Sequence, residues 1–123
     1  SWAERWPEPR SDRMPGDGWT AAAALDDLPI GKGVRVTVGN DIVLLVRSDE
    51  RVFAIGNRCT HQGAPLDRGP VKVSGSLATV TCPAHGSVFG LDDGRVLRGP
   101  ATHAVEGFDT RVVDATVEVR PRT

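Results

Sequence analysis

Apolar positions in this chain come in short bursts, each separated from the next by residues that favour turns. VRVTV (34–38) and IVLLV (42–46) are rich in β-branched residues and flank Gly39-Asn40, a strong two-residue hairpin signal. RVFAI (51–55) follows the turn composition Ser48-Asp49-Glu50, and LATVT (77–81) leads directly into Cys82. SVFGL (87–91) and RVL (95–97) flank Asp92-Asp93-Gly94, and TRVVD with TVEVR predicts a last hairpin around Asp114-Ala115. A single short helical turn is predicted near ALDDL (24–28), stopped by Pro29. Many short strands at regular spacing predict an all-β fold, a small antiparallel sandwich or barrel. Residues 1–17 carry Trp2, Trp6, Pro7, Pro9 and Pro15 without any period, so they read as a tail or linker before a domain over 18–123.

Composition narrows the function classes. The chain has 123 residues, enough for one domain, with 39% hydrophobic and 25% charged residues. A net charge of −1 argues against nucleic acid, because neutralising phosphates needs a clustered basic surplus. The longest apolar run, IVLLV, is far shorter than the roughly 20 residues of a membrane helix. No secretory signal opens the chain, which starts on Ser1 rather than Met, so a processed chain or a piece of a longer protein is expected.

Both cysteines of the chain sit beside histidines. CTHQGAPL (59–66) and CPAHGS (82–87) give the spacing C-x-H, then 20 residues, then C-x-x-H. A Cys59–Cys82 disulfide or two buried thiols would leave the two neighbouring histidines unexplained. Four such donors suit either one zinc ion, bound by all four, or a [2Fe-2S] centre that takes two Cys on one iron and two His on the other. The mixed pairing favours iron, since each loop then gives one ligand to each metal, whereas zinc knuckles usually keep their cysteines together. Gly63 and Gly86, just beyond each pair, allow backbone N–H groups to approach the sulfides closely.

These two stretches resemble the cluster-binding loops of Rieske proteins. LDDLP, VLLVR, NRCTH, HGSVFGLDDGRVL and the GPA at 99–101 are similar to Rieske-type ferredoxins, and the likeness runs from about Trp19 to the final strand. The resemblance implies a Rieske-type antiparallel β-sandwich with a small cluster-binding subdomain. Its ligand loops would lie at about 57–69 and 81–91, and a proline-bearing loop at about 98–102. It implies Cys59 and Cys82 as thiolate ligands of one iron, and His61 and His85 as ligands of the other through Nδ1. Ser87 would donate to a bridging sulfide, and Pro100 would belong to the loop covering the cluster from a third side. The segment between the motifs is slightly longer than in the usual ferredoxin form. The excess falls around VKVSGSL (71–77), where a surface hairpin is expected.

Two thiolates cancel the charge of an oxidised [2Fe-2S] core, whereas four leave the site negative, so this ligand set raises the reduction potential above that of all-Cys ferredoxins. High-potential Rieske members carry a further Cys in each loop, bridged to one another. Here Ala64 and Ala84 stand at those positions, and Phe89 stands where a Tyr hydroxyl would reach a ligand sulfur. Fewer donors to sulfur stabilise the reduced cluster less, which predicts a value in the lower half of the roughly −150 to +300 mV Rieske range. The missing bridge also fits a reducing, cytoplasmic setting.

The remaining candidates are weaker. His103 is expected to be exposed or hydrogen-bonded, Asp67, Asp92 and Asp93 to occupy turns, and Trp2, Trp6 and Trp19 to pack. Arg58, Arg68, Lys72, Arg95 and Arg98 read as a solvated charged surface that could also ring the cluster and steer an acidic partner. No Ser-His-Asp set, phosphate-cradling loop or mononuclear-iron triad can be assembled. The expectation is therefore an electron carrier, not an enzyme, taking electrons from a flavin-dependent reductase and passing them to an oxygenase or similar component. Alternatives are a Rieske domain of a larger, membrane-anchored protein and a structural zinc module.

Overall fold

A computed structural model of the chain describes residues 18–49, 51–74 and 77–122. The expected tail over 1–17 lies outside them. Ten strands are described: β1 (Thr20–Ala24), β2 (Gly33–Val38), β3 (Asp41–Arg47), β4 (Val52–Gly56), β5 (Val71–Ser74), β6 (Leu77–Thr81), β7 (Val88–Gly90), β8 (Val96–Arg98), β9 (Gly107–Val113) and β10 (Thr116–Pro121). One sheet has the order β1-β10-β9-β4-β3-β2, the other β5-β6-β7-β8, and every pairing is antiparallel. The edge strands β1 and β2 of the larger sheet also touch, so that sheet curls towards closure.

Strand β3 explains how one sheet serves two cores. Val43 and Leu45 point into the curled sheet, against Phe108, Val117 and Val119. Leu44 and Val46 point the other way, into a core shared with the smaller sheet. Residues alternate faces along a strand, so a strand buried on both sides must read as an unbroken apolar run. That run is IVLLV. The second core also holds Leu66, Val80, Phe89 and Leu91, together with Cys59 and Cys82.

The predicted hairpins form. Val38 pairs with Asp41 around Gly39-Asn40, and Val113 pairs with Thr116 around Asp114 and Ala115, both at positive φ. VKVSGSL becomes the β5–β6 hairpin, with Ser74 opposite Leu77. Two differences have physical causes, and a third is a plain shortening. The ALDDL helix shrinks to one 3₁₀ turn, Leu25–Asp27, because the alanines before it form β1 and pair with β10. RVL begins one residue later, at Val96, because the N–H of Arg95 bonds the Asp93 carboxylate within the turn. SVFGL shortens to Val88–Gly90. Trp19 packs as expected, with the guanidinium groups of Arg111 and Arg120 at 4.3 and 4.5 Å from its ring.

Candidate metal centre

The loop that follows β4 and the loop between β6 and β7 fold on one frame. In the first, the Cys59 N–H bonds the Ala64 carbonyl and the Gly63 N–H bonds back to Cys59. In the second, the Cys82 N–H bonds the Ser87 carbonyl and the Gly86 N–H bonds back to Cys82. The closing glycines have φ of 79° and 80°, a conformation costly for other residues. Each loop is thus a tight turn starting at its cysteine, with the same hydrogen-bond spacing. The histidines occupy adjacent steps on that frame, second after Cys59 and third after Cys82.

This frame sorts the four donors by depth. Cys59 and Cys82 are buried in the inter-sheet core, 1% and 2% exposed, and both are free thiols, so the disulfide alternative fails. His61 and His85 are exposed, with ring centroids 4.9 Å apart and planes at 90°. Burial raises the Cys82 thiol, but the backbone N–H groups of His85 and Ala84 and the Cys59 thiol outweigh it, so its pKa falls below the ordinary value. Backbone donors aimed at that sulfur favour the thiolate, the form that binds metal.

Three contacts outside the Cys/His pattern hold the loops. Asn57, only 5% exposed, donates from Nδ2 to Asp67 Oδ1 at 2.7 Å, and its Oδ1 accepts the Asp67 N–H at 2.7 Å. This double clasp closes the base of the first loop. Ser87, fully buried, accepts the Ala101 N–H at 3.0 Å, which ties the segment after the cis Gly99–Pro100 bond to the second loop. Thr60 donates to the His103 carbonyl at 2.6 Å, tying the same segment to the first loop. The proline loop therefore touches both ligand loops, with Pro100 itself exposed. At Gly69 a Cβ would overlap the Thr81 carbonyl oxygen, so the exit of the first loop lies against the start of the second.

Other candidates fall where turns put them. His103 is exposed, and its Nδ1 meets the Thr102 hydroxyl at 3.1 Å. Asp92 and Asp93 hold Arg95 at 2.9 and 3.1 Å, which removes Arg95 from any cationic ring. Lys72 sits on β5, outside the ligand loops. Asp67 is the Asn57 partner already described.

A binuclear group fits this donor set. Thiol meets thiol and imidazole meets imidazole, one pair buried and the other exposed. Among the described residues no three His, Cys, Asp or Glu side chains converge as one metal ion would require.

The sequence matches a family model described as the Rieske-like [2Fe-2S] domain over residues 18–120. It is 31% identical to apoptosis-inducing factor 3 of Mus musculus over 118 residues, which is 95% of this chain and 19% of that protein. It is 32% identical to the ferredoxin subunit of a 3-phenylpropionate/cinnamic acid dioxygenase from Photorhabdus laumondii, over 77% of this chain and 87% of the other. Among solved structures it is similar to the ferredoxin of carbazole 1,9a-dioxygenase from Nocardioides aromaticivorans, with a TM-score of 0.79 and 29% identity, covering 86% of this chain and 100% of that one. The chain belongs to the Rieske-like [2Fe-2S] domain family. Its cofactor is a [2Fe-2S] cluster. It spans about a fifth of the length of the apoptosis-inducing factor 3 proteins it matches. Among the described residues no helix is long and apolar enough to cross a membrane.

Proposed function

We propose that this domain is a one-electron carrier, not itself an enzyme, with Cys59 and Cys82 holding one iron of the cluster and His61 and His85 the other. The observation that carries the reading is the sorting by depth, with thiols in the core and imidazoles at the surface. When bound, the cluster supplies a one-electron redox couple. The protein's part is to hold it and to set its surroundings. The N–H groups of Ala84 and His85 favour a thiolate at Cys82. The Ser87 hydroxyl accepts from Ala101, which would leave its own proton to donate towards the bound cluster. The exposed imidazoles give a partner the shortest approach. Phe89 brings no donor to the sulfurs, which supports a potential in the lower half of the roughly −150 to +300 mV range.

The partners we propose are a flavin-dependent reductase as donor and an oxygenase as acceptor. The dioxygenase ferredoxins it is similar to support the acceptor. The setting proposed is cytoplasmic, supported by Ala64 and Ala84 standing where high-potential members carry bridged cysteines. A second reading, the electron-transfer domain of a larger protein, is favoured by the match to apoptosis-inducing factor 3. Metal analysis with EPR of the reduced protein tests the common core. Two irons per chain and a signal averaging below the free-electron g are expected, and zinc with no such signal overturns it. Loss of that signal in Cys82→Ser and His85→Ala tests the ligand assignment.

A further inference from the structure

Four arginines outside the cluster end have carboxylate partners. Arg95 is held by Asp92 and Asp93, Arg111 by Glu118, and both Arg120 and Arg122 by Asp109. Arg58, Arg68 and Arg98 have none among the described residues, as is also true of Arg35 and Arg51 elsewhere. All three at the cluster end are exposed. Arg58 and Arg68 stand on the first ligand loop and Arg98 at the start of the proline loop. Arg58 precedes Cys59 and folds across Gly63, Arg68 ends the 3₁₀ turn closing the first loop, and Arg98 pairs with Val88 at the end of β8.

The carboxylates nearby do not balance them. Within residues 57–69, 81–91 and 98–102 the only acidic residue is Asp67, whose Oδ1 is taken by Asn57. The three loops are therefore formally two charges positive, in a chain whose net charge is −1. Asp41 and Glu106 border a groove of about 940 Å³, shared with Arg35 and Arg58, that reaches the first ligand loop but no residue of the second. Pro65 on the first ligand loop, Pro83 and Ala84 on the second, Leu97 on β8 and Pro100 on the proline loop are exposed and uncharged. Exposed apolar residues together with arginines are characteristic of protein interfaces, and guanidinium forks pair with carboxylates in particular.

We infer that the cluster end docks onto an acidic surface of its redox partner, one whose electron port is rimmed by Asp and Glu side chains, through Arg58, Arg68 and Arg98. The inference rests on the electron-carrier reading and specifies the kind of partner. Uncharged Pro83 and Ala84 beside His85 let the imidazole approach closely, while the arginines orient the encounter.

The test uses the cluster-loaded protein. Reduced protein is mixed with hexacyanoferrate(III), an anion, or hexaamminecobalt(III), a cation, and re-oxidation is followed by stopped flow as salt is raised. Binding to an acidic flavodoxin and to a basic cytochrome c is measured by calorimetry in parallel. We expect the rate with the anion to fall about tenfold or more with salt, the rate with the cation to rise, and binding to the flavodoxin alone. Arg68→Glu/Arg98→Glu should invert both preferences while the EPR signal stays unchanged. The milder Arg68→Gln/Arg98→Gln should weaken them. An identical salt response with both oxidants, or wild-type preferences in the double Glu variant, overturns the inference. No EPR signal at all overturns the electron-carrier reading instead, so the two failures are distinct.

Discussion

Replacing Asn57 by alanine removes the clasp at the base of the first ligand loop and should loosen the loop without touching a ligand. Two hydrogen bonds disappear, one of them to a carboxylate, both at 2.7 Å and built on a side chain only 5% exposed. A neutral hydrogen bond is worth about 1 kcal/mol net and one to a charged group about 1.5–3, so the sum is roughly 2.5–4 kcal/mol. Asp67 is partly exposed, and water recovers part of its hydrogen bonding in the variant, which brings the expected loss to about 2–3 kcal/mol. For a domain of this size each kcal/mol moves the melting point by roughly 4 °C, so the fall should be about 10 °C.

Calorimetric melting of the cluster-loaded protein measures that fall, and bleaching of its visible absorbance by a chelator measures cluster retention. Asn57→Asp separates the clasp from mere packing. It keeps an acceptor for the Asp67 N–H but sets carboxylate against carboxylate, so it should be as damaging as alanine at neutral pH. It should recover in acid, where one carboxyl takes up a proton and can donate again. If Asn57→Ala melts within about 3 °C of the parent and loses its cluster no faster, the clasp does not hold the loop and the reasoning fails.

Other consequences are as direct. Gly69→Ala drives a Cβ into the Thr81 carbonyl and must displace one ligand loop from the other; a loss of about 1–3 kcal/mol with faster cluster release is expected in the same two assays. Ala115 sits at φ 63°, so Ala115→Gly relieves about 1–2 kcal/mol of left-handed strain against a smaller entropy loss and should raise the melting point slightly. The Arg122 hydrogen bond, with Arg120 beside it, holds the Asp109 carboxyl below the ordinary range against a small opposing effect of burial. A lowered folded pKa means this contribution is complete above the unfolded value of about 3.9 and is lost as pH falls through the folded one. Asp109→Asn should therefore flatten the stability curve below about pH 4 and cost under about 1 kcal/mol above it, the pair being over a third exposed; an unchanged acid slope in denaturant melts would refute it.

Legibility in the sequence followed the range of the interactions. Strands β2 to β4 declare themselves because their apolar residues are a local consequence of burial, most plainly where Val43–Val46 are buried on alternating sides. Strand β1 does not. Its alanines have little strand preference and are strand only because β10, nearly a hundred residues on, offers them an edge. The ligands are visible because chemistry fixes their letters. The bonds that place them are not, since Asn57–Asp67, Ser87–Ala101 and Thr60–His103 join residues 10, 14 and 43 apart and use side chains common in any loop.

The arginines show the same division from the other side. Sequence alone put Arg95 with Arg58, Arg68, Lys72 and Arg98, and only the folded turn, with Asp92 and Asp93 closing on Arg95, separates it from the other four. The two ligand loops carry this furthest. Their hydrogen-bond frames are the same, yet CTH and CPAH place the imidazole one residue apart on them. The two rings nonetheless meet, with centroids 4.9 Å apart, while both thiols stay in the core. The letters record the unequal spacing, and only the folded frames show that it leaves the four donors paired by type and by depth.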